Sequence, residues 1–580
     1  MKASRMSAFA LCMTSLLAAM PACSVDDAGE VEDGEFDQAG GKSDSITEGS
    51  AQAAAILALV NDLTVDKEEL DIDAGLTARA AGNIIAARPF ATLKAVDDVP
   101  YVGTATLNAL LKYATAKGLL PGGKSIDVVF SPQPVGATHT ARIAQMIRDA
   151  KTSVDVCMYS YSDAEVGTAL TDALARGVKV RFLFETAGSD KNIADLAART
   201  ASKSGKLEKA GIDVRWVNKI LHHKFVIVDG PRDNAGAAAS AKLATGSANW
   251  SFGGAATYDE NTLFISGYEE VAQAYQREFD LLWRGSGDFA LTTPIAKVES
   301  TTAFPTLTND AGVEALFTSA NFTPPAAGST TFRVDKSKTL VADQWVAAIN
   351  GATKSIHIAS GHARLRPVAL ALIAKKQANP SLDIQVLLDQ QEFISATADA
   401  TQRTEVETCL TAAGADATAQ RACTENDFLY GRMIGQAGIP VRYKSYSYRW
   451  NATYAIQMHN KYMIIDGDEL YSGSYNLSMN AEHGTFENVM HISGAANAGL
   501  IGKYEANFVQ MWGYNASNGT LAALRSTIAT AASIPLVFTP MALTWQEFND
   551  LRTLIRANCT QADSTDFRAN PAAHKYCARS

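Results

Sequence analysis

The chain has 580 residues, 47% of them hydrophobic and 19% charged, and its formal net charge at pH 7 is −10. One compact core does not hold a chain of this length, so two or more domains are expected. The composition excludes a membrane span in the interior of the chain, because no interior run is long and apolar enough. The acidic balance excludes polyanion binding through overall charge, so an anionic substrate must be held by a local cluster of cations.

The N-terminal segment, residues 1–23, has the layout of a secretory signal, with basic residues before the apolar stretch "AFALCMTSLLAAM". Its end, "AAMPAC", resembles the lipobox of bacterial lipoproteins, which implies lipid attachment at Cys23; an ordinary signal peptide cut near Ala22 is the alternative. Residues 24–46 are acidic and poor in apolar side chains, and they are predicted to be a disordered tether. We therefore expect an exported protein, either anchored as a periplasmic or cell-surface lipoprotein or secreted.

Residues 47–118 are rich in alanine and leucine at helical spacing and are predicted to form a small all-α module. Within it, "VDDVPYVGTATLNALLKYA" has the pattern of two helices joined by a Pro/Gly turn. This segment resembles a helix-hairpin-helix, which implies a turn that holds nucleic-acid backbones. The module contains nine acidic and six basic residues, and this balance favours a packing role over phosphate contacts.

From residue 124 onwards, strand and helix patterns alternate and then repeat, which predicts two α/β domains of one kind, at residues 124–295 and 312–515. The segment "DAKTSVDVCMYSYSD" corresponds to "GATKSIHIASGHARL", "GVKVRFLFE" to "LDIQVLLDQ", and "KAGIDVRWV" to "QAGIPVRYK". The second copy carries an insertion between Gln390 and Gly435. Residues 516–580 are predicted to be a helical extension.

The cysteines suggest two disulfide bridges, as expected of an exported protein. Cys409 and Cys423 lie close together in the insertion, and Cys559 and Cys577 lie close together near the C terminus. Other pairings stay open from the sequence alone. A bridge within the insertion is expected to staple a loop near the mouth of the functional site.

One motif occurs in each copy with the same internal spacing, except that the gap between its Asp and its Gly-Ser block is longer in the first copy. It consists of His-x-Lys, an Asp after four further residues, a Gly-Ser-x-Asn block and a Glu eleven residues past the Asn. Its members are His222, Lys224, Asp229, Gly246, Ser247, Asn249 and Glu260 in the first copy, and His459, Lys461, Asp466, Gly473, Ser474, Asn476 and Glu487 in the second. Because side chains alternate along a strand, the histidine and lysine of each motif are expected to point the same way, as a nucleophile beside a cation.

This set of groups suits chemistry on a phosphodiester. Lysines, asparagine amides and serine hydroxyls in Gly-Ser turns can hold the phosphate oxygens, while one imidazole attacks phosphorus and the other protonates the leaving oxygen. A carboxylate on the opposite ring nitrogen fixes each tautomer, and Glu260 and Glu487, each one loop after its own motif, are expected to do this. Asp229 and Asp466, at the far ends of the strands, are expected to brace the motif loops.

Metal chemistry is disfavoured, because His222 and His223 face apart on a strand and no further ligands recur at metal-binding spacing. The sequence therefore predicts a site without a metal or another cofactor.

The two blocks resemble the HKD motifs of the phospholipase D superfamily, and the resemblance covers most of residues 124–515. It implies two α/β/α sandwiches that form a pseudo-two-fold dimer within one chain, with one site at their interface and a covalent phosphohistidine intermediate. On this basis His222 is the expected nucleophile and His459 the expected acid. The chain is expected to be a monomer with this internal pseudo-dimer.

These observations lead to three hypotheses on function. The first is a phospholipase D-type phosphodiesterase that acts on phospholipids at a membrane surface, by hydrolysis or by transfer to an alcohol. The second is a metal-independent nuclease, because the start of the first copy resembles the small bacterial nucleases of the superfamily. The third is a non-catalytic surface binding protein, which the intact motifs oppose.

Three further segments carry weaker expectations. The stretch "GPRDNAGAAASAKLA" after Asp229 is expected to be a flexible surface loop that alters access to the site. The basic segment "GHARLRP", with His362, Arg364 and Arg366, is either structural or a wall of the substrate pocket. The aromatic run "YKSYSYRW", residues 443–450, is either core packing or a rim for membrane or base contacts.

Overall fold

The computed structural model of the chain describes residues 46, 48, 51–117, 119, 124–300, 302–305, 310, 312–425, 428–514 and 519–580. The predicted signal peptide with Cys23, and residues 24–45 of the predicted tether, lie outside the described residues. Within the described ranges, no helix combines the length and apolar character that a membrane crossing requires.

Four α-helices form the N-terminal module: α1 Ala51–Asn61, α2 Ala78–Ala87, α3 Leu93–Asp97 and α4 Thr104–Ala116. Threonine hydroxyls at positions 77 and 92 cap α2 and α3 by accepting backbone N–H groups three residues later. The helices enclose a core of their own that includes Leu59, Ile84, Val96 and Leu110. The segment between α3 and α4 is the turn of the helix-hairpin-helix-like pattern.

The first α/β domain follows the predicted alternation. Its elements are β1 Ser125–Ser131, α5 His139–Arg148, β2 Ser153–Met158, α6 Ala164–Ala175, β3 Lys179–Phe184, α7 Ala187–Asp190, α8 Leu196–Ala201, α9 Lys203–Lys209, β4 Asp213–Trp216, β5 Ile220–Leu221, β6 Lys224–Val228, β7 Lys242–Gly246, α10 Phe252–Ala256, β8 Glu260–Ser266, α11 Glu269–Arg284 and β9 Gly287–Asp288. Eight of these strands form one sheet in the order β1-β8-β7-β6-β2-β3-β4-β9.

The second α/β domain repeats this plan. Its elements are β10 Val313–Phe317, β11 Phe322–Thr323, β12 Arg333–Val334, α12 Leu340–Gly351, β13 Ser355–Ser360, α13 Arg366–Ala378, β14 Asp383–Asp389, α14 Ala396–Ala413, α15 Ala417–Thr424, α16 Leu429–Gln436, β15 Val441–Ser447, β16 Lys461–Ile465, β17 Glu469–Gly473, α17 Met479–His483, β18 Thr485–Phe486, β19 Asn488–Ser493 and α18 Ala498–Trp512. The C-terminal elements are α19 Thr520–Thr530, β20 Ser533–Pro535, β21 Val537–Thr544, α20 Trp545–Asn558, α21 Thr565–Ala569 and β22 Tyr576–Ala578.

The second sheet has the order β10-β19-β17-β16-β13-β14-β15-β21, which matches the first position by position. In each sheet the motif strand, β6 or β16, pairs antiparallel with both of its neighbours. On one side of it lie three strands that are parallel to one another, β2, β3 and β4 in the first sheet and β13, β14 and β15 in the second. The predicted fold class of tandem α/β domains is confirmed. The two sheets share one hydrophobic core, formed by the faces that are covered by α11 and α18. Phe225 and Tyr275 of the first copy lie in it together with Tyr462 and Tyr504 of the second.

The C-terminal segment differs from the helical extension that was predicted. Strand β21 pairs antiparallel with β15, with Arg442 opposite Thr544, so it is the outermost strand of the second sheet. The short strand β9 takes this place in the first sheet. The residues of β21 are largely apolar or β-branched, which favours a strand at the sheet edge. The helical prediction rested on the periodicity of the residues around it.

Both predicted disulfides are present. The bridge between Cys409 and Cys423 joins α14 to α15, and the bridge between Cys559 and Cys577 joins the end of α20 to β22. Helix α15 borders a cavity of about 420 Å³ together with Arg366 at the start of α13. Because α13 begins just after the carboxyl end of β13, the stapled insertion lies at the same edge of the sheet as the motif lysine of β16.

The stretch after Asp229 is packed and does not form the flexible loop that was expected. Ala238 is fully buried against α11, and the Arg232 side chain is 2% exposed beside Asp155. The stretch joins the ends of β6 and β7 that lie away from Lys224. Because β6 has five residues and a strand rises about 3.3 Å per residue, these ends lie roughly 16 Å from Lys224. It therefore lies away from the site and does not alter access to it.

Candidate active site

The motif histidines lie where the two copies meet. His222 stands between β5 and β6, and its backbone N–H donates to the carbonyl of Phe486 in the other copy at 3.1 Å. The N–H of His459 donates in the same way to the carbonyl of Asp259 at 2.9 Å. Each histidine is thus attached to the segment that immediately precedes the glutamate of the opposite copy.

The glutamates pair across the interface. Nδ1 of His222 lies 2.8 Å from Oε2 of Glu487, and Nδ1 of His459 lies 2.7 Å from Oε1 of Glu260. The expectation that each glutamate serves its own motif is wrong. The parallel pairing of β5 with β18 carries Glu487 to His222, while the bridge between Asp259 and Met458 carries Glu260 to His459.

Burial and nearby cations keep both imidazoles neutral. Burial is the largest cause that lowers the pKa of His222 well below its usual value, and Lys224, Lys461 and His459 lower it further. Burial likewise lowers the pKa of His459 to about 4, against the opposing effect of Glu260. Because the charges of each motif act on the histidine of the other, the two motifs form one site.

The two lysines are buried cations without a salt bridge to any carboxylate among the described residues. Nζ of Lys224 donates to the carbonyl of His222 at 2.7 Å, and Nζ of Lys461 donates to that of His459 at the same distance. Burial lowers the pKa of Lys224 to about 7 and that of Lys461 to about 8. An anion placed between them would regain the energy that their burial costs.

The asparagines also leave binding capacity in the site. Asn249 and Asn476 are half-buried, and the side-chain oxygen of each has no hydrogen-bond partner among the described residues. The backbone around Asn249 is held by His139, whose Nε2 lies 3.1 Å from the Asn249 carbonyl oxygen.

This geometry agrees with the comparisons with known proteins. The family described as "Cardiolipin synthase, PLD-like domain" matches residues 143–283 and 345–512. The chain belongs to this PLD-like family. The matched ranges contain every motif residue named above, and they end before β21 and the C-terminal helices.

Several curated members of the family are similar to parts of the chain. The mitochondrial cardiolipin hydrolase of Danio rerio is 33% identical over 159 residues, which are 27% of this chain and 62% of that protein. That of Xenopus laevis is 30% identical over 167 residues, 27% of this chain and 70% of that protein. The phospholipase D of Rickettsia conorii (strain ATCC VR-613 / Malish 7) is 33% identical over 152 residues, 26% of this chain and 65% of that protein. The chain thus spans about two thirds of the length of these relatives.

Two solved structures also resemble the chain. The phospholipase D family member Nuc from Salmonella typhimurium is 25% identical with a TM-score of 0.23, and the match covers 29% of this chain and 98% of that one. Phosphatidylserine synthase from Haemophilus influenzae Rd KW20 is 11% identical with a TM-score of 0.44, and the match covers 77% of this chain and 94% of that one.

The serines of the PLD-like motifs support the glutamates and do not face the substrate. Ser247 and Ser474 are fully buried, and their hydroxyls accept the backbone N–H groups of Asn261 and Asn488 at 3.0 Å. Each hydroxyl also lowers the pKa of the motif glutamate of its own copy. The prediction that these serines bind phosphate oxygens is therefore wrong, because strand pairing already uses their hydroxyls.

The motif glycines allow this close strand pairing. A Cβ atom on Gly246 would lie 2.2 Å from the carbonyl oxygen of Asn261, and one on Gly473 would lie 2.2 Å from that of Asn488. No larger residue fits at either position without displacing the backbone. These glycines keep the β8 and β19 segments, and hence the glutamates, at their observed distance from the site.

The motif aspartates brace the loops that enter β2 and β13. The carboxylate of Asp229 accepts the backbone N–H groups of residues 151–153, and that of Asp466 accepts those of residues 353–355. Both aspartates have positive φ values, 51° and 55°, at the sharp turn that ends the motif strand. They lie at the far end of the strands, as the sequence predicts.

A second pair of acids was missed by the sequence analysis. The carboxylate of Glu185, after β3, accepts the N–H of Leu221 at 2.6 Å, and that of Asp389, at the end of β14, accepts the N–H of Met458 at 2.9 Å. Each acid thus holds the residue before a motif histidine. The available signal was an acid at the end of the aligned segment "GVKVRFLFE" and one residue before the end of "LDIQVLLDQ".

A buried polar network between the copies was also missed. Asn261 bonds to Asn460, Ser472 and Tyr504, while Asn488 bonds to His223, Thr245 and Tyr275. The two sets are equivalent by position, with an asparagine directly after each motif glutamate. The recurrence of "EN" in both copies was the available signal.

The remaining predicted segments take different places. His362 and Arg364 both pair with Glu392, and the charge of His362 acts on His222, so His362 borders the site. Arg366 is exposed and borders the cavity beside α15. The aromatic run covers the end of β15 and the three residues after it; its three tyrosines are buried, and within the run only Trp450 is exposed, at 39%. The alternative prediction, that the whole run forms a rim for membrane or base contacts, is therefore wrong.

Proposed function

We propose that the protein is an exported phosphodiesterase that cleaves the distal phosphodiester bond of a phospholipid and leaves a phosphatidyl product. The observation that carries this proposal is the pair of crossed His–Glu contacts where the two copies meet, beside two lysines that form no ion pair with the described residues. One imidazole attacks and the other donates a proton, and the lysines offset the charge of the phosphate oxygens.

The nucleophile in this mechanism is Nε2 of His222. Its Nδ1 side faces Glu487, so that Nδ1 holds the proton and the Nε2 lone pair is free. Burial and the neighbouring cations lower the pKa of this imidazole well below its usual value, which keeps it neutral and nucleophilic at pH 7. The P–N bond forms as the bond from phosphorus to the head-group oxygen breaks.

The acid is His459, which gives its Nε2 proton to the departing head-group oxygen. Burial is the largest single effect on Glu260 and raises its pKa, but His459, Lys461 and Ser247 together lower the pKa below its usual value, so the carboxylate stays ionised beside the ring. A phosphodiester anion opposes the effect of the lysines and raises the pKa of His459 towards neutrality when it binds. In the second step His459 takes a proton from water, which attacks phosphorus and breaks the P–N bond; an alcohol in place of water gives transfer.

Phospholipid is the proposed substrate class because the similar proteins named above are a cardiolipin hydrolase and a phospholipase D. The expected signal and tether would place the protein at a membrane, and its acidic balance disfavours nucleic acid. Among the described residues no group of three or more His, Cys, Asp or Glu side chains is arranged to hold a metal ion. The lysines take the electrostatic role in the proposed mechanism.

A substrate panel tests this function. Phosphatidylcholine, phosphatidylethanolamine, cardiolipin, single-stranded DNA and RNA are each incubated with the protein, with and without ethanol. We expect lipid cleavage and formation of phosphatidylethanol, both abolished in His459→Ala and retained in His491→Ala, a histidine on β19 outside the site. Cleavage of nucleic acid alone would overturn the lipid assignment in favour of the nuclease.

A further inference from the structure

Two loops at the edge of the proposed active site carry no charged residue. The first loop, residues 132–138, has the sequence "PQPVGAT" and follows Ser131, which is the strand partner of Glu260. The second loop, residues 250–258, has the sequence "WSFGGAATY" and joins Asn249 to the segment that ends in Glu260. Both loops therefore leave the fold beside residues of the site, on its Glu260 side.

Direct contacts connect the second loop to the second motif histidine. The N–H of Tyr258 donates to the carbonyl of Gly253 at 2.8 Å, and the ring centre of Tyr258 lies 6.4 Å from that of His459. Phe252 directly precedes Gly253 at the start of α10. Phe252 is thus linked to His459 through one hydrogen-bonded turn and one tyrosine ring.

The two loops are fixed to one another. The N–H of Gln133 in the first loop donates to the carbonyl of Ala255 in the second at 3.1 Å. The N–H of Ala137 donates to the carbonyl of Pro134 at 3.0 Å and closes a turn that contains Val135. The loops therefore form one surface, and we call them the docking loops.

The docking loops present apolar side chains to water. Val135 is 95% exposed and Phe252 is 75% exposed, and Pro132, Pro134 and Ala137 of the first loop are exposed as well. A single exposed apolar residue is ordinary on a protein surface, whereas several on one uncharged patch mark a surface for interaction. The absence of cations excludes a nucleic-acid backbone as the partner of this patch.

The second copy shows that this exposure is not imposed by the fold. Residues 247–261, "SANWSFGGAATYDEN", align without a gap with residues 474–488, "SYNLSMNAEHGTFEN", so Phe252 corresponds to Met479. Met479 is 3% exposed in the core of the second domain and borders the same cavity as α15. Nothing within the described part of the chain covers Phe252 in this way, so its cover is expected to come from outside the chain.

We propose that the docking loops insert into the surface of a phospholipid bilayer, with Val135 and Phe252 as the inserted side chains. Interfacial binding of this kind depends on the apolar area that enters the acyl boundary and needs no counter-charge on the protein. The docking loops adjoin the Glu260 side of the site, so a docked bilayer lies against the site that takes a phospholipid from it. The inference rests on the proposed function for its substrate, but binding to a bilayer does not require turnover.

Binding is tested by flotation with phosphatidylcholine vesicles. The protein is the mature chain, residues 24–580, which has neither the predicted signal nor a lipid at Cys23, and all samples carry His459→Ala so that no lipid is cleaved. Phe252→Ser is expected to raise the vesicle dissociation constant about tenfold or more, and Phe252→Leu should retain most of the affinity. Leu63→Ser, which alters an 86% exposed leucine of the N-terminal module, is the matched control and should bind as its parent does.

Two further measurements test whether the contact is apolar and lies in the acyl layer. Vesicle affinity should change less than about twofold between about 0.05 and 0.5 M salt, because an apolar contact is not screened. The added emission of Val135→Trp and of Phe252→Trp should be quenched by lipids that are brominated in the acyl chains, and that of Leu63→Trp should not.

The catalytic consequence is tested with one head group in two physical states. Enzyme with an intact His459 is assayed on phosphatidylcholine vesicles and on monomeric dibutyryl phosphatidylcholine, which offers no bilayer. Phe252→Ser should lower the ratio of kcat/KM on vesicles to kcat/KM on monomers about tenfold, and Leu63→Ser should leave this ratio unchanged. A loss of equal size on both substrates assigns Phe252 to contact with the substrate molecule and overturns the docking surface.

The remaining outcomes separate the possible failures. Equal vesicle affinities of the parent, Phe252→Ser and Val135→Ser overturn the docking surface, whether or not the protein is a lipase. Self-association of the parent that Phe252→Ser abolishes, without vesicle binding, assigns the patch to a second copy of the chain and overturns it as well. Vesicle binding that depends on Phe252, by a protein that cleaves no phospholipid, supports the docking surface and overturns only the proposed function.

Discussion

Nδ1 of His222 lies 2.8 Å from the carboxylate of Glu487, a residue 265 positions further along the chain. The mirror-image contact joins His459 to Glu260, 199 positions earlier. Neither copy of the fold therefore contains a complete His–Glu pair. The functional unit is the two-domain body, and the effect of each motif residue must be sought in the opposite copy.

The crossed pairing predicts which histidine each glutamate controls. Glu487→Gln should lower kcat by about 10² to 10⁴-fold, because an amide does not favour the required tautomer of His222. The nitrogen NMR signals of His222 should change while those of His459 stay the same. Glu469→Gln, which alters the carboxylate beside His491 on the surface, is the matched control. A change confined to the signals of His459 would instead indicate that Glu487 pairs with the histidine of its own copy.

Replacing a buried motif lysine should stabilise the protein while removing its activity. Lys224 bears its charge without an ion pair, so Lys224→Met should raise the free energy of unfolding by about 1–4 kcal/mol and abolish phosphodiester cleavage. Urea unfolding and turnover are measured on the same samples. Lys242→Met, on the exposed start of β7, should change neither. Loss of stability in Lys224→Met would show that the charge is compensated in the fold.

The same lysines predict opposite pH dependences for activity and stability. Burial lowers the pKa of Lys224 to about 7 and of Lys461 to about 8, so kcat/KM should fall as pH rises through 7 to 8 and the free protein loses these cations. An unfolded lysine stays protonated to about pH 10.4, so the unfolded state binds more protons between these values. Their contribution to stability should therefore rise from pH 7 upwards. Parallel pH profiles of kcat/KM and of urea midpoints check this, and kcat/KM that is constant to pH 9 would contradict it.

Much of this site followed from spacing alone. The repeat of His-x-Lys predicted two displayed imidazoles, and the period of a strand correctly separated His222 from His223, which is buried against Glu278. Spacing could not predict the crossing of Glu260 and Glu487. That depends on which side of the interface a short loop faces, and an eleven-residue interval is compatible with either side.

The interface asparagines should be important for stability. Asn488→Ala leaves His223, Thr245 and Tyr275 without a common buried partner, so it should lower the free energy of unfolding by about 2–4 kcal/mol. Asn261→Ala should have a similar effect through the equivalent contacts. Asn350→Ala, at an exposed position in α12, serves as the control. Equal urea midpoints for all three variants would show that water replaces the lost bonds.

The two histidines should differ when a covalent intermediate is trapped. With a phosphodiester whose leaving group is p-nitrophenol, which needs no acid, His459→Ala should accumulate a labelled adduct on His222, because the base for its hydrolysis is missing. His222→Ala should form none. Acid-free quenching and mass spectrometry locate the label. An adduct on His459 in the wild type would reverse the two roles.

Chelators provide a further test of the electrostatic role given to the lysines. Since Lys224 and Lys461 are placed to offset the phosphate charge, EDTA should leave kcat within about twofold of its starting value. The measurement is turnover before and after dialysis against EDTA. Strong inhibition that a divalent ion reverses would contradict the lysine-based mechanism.

The errors of the sequence analysis have a common physical cause. The serines, the Ala/Gly/Ser stretch after Asp229 and the aromatic run were interpreted from composition, which reports what a side chain can do in water. Their roles depend on the neighbours that they contact in the fold. The Ser247 hydroxyl bonds to the backbone of Asn261, Ala238 packs against α11, and Tyr446 is buried in the core. Strand β21 was missed for the same reason, since its partner β15 lies about a hundred residues earlier.

The reciprocal glutamates also bear on how such a chain can be divided. A cut in the connection between β9 and β10 would give two fragments, each with an imidazole that has lost its carboxylate and an apolar face that has lost its cover. Each fragment alone should be inert, while the mixture should recover turnover as the fragments reassociate. Covalent linkage supplies the local concentration that makes this reassembly independent of dilution.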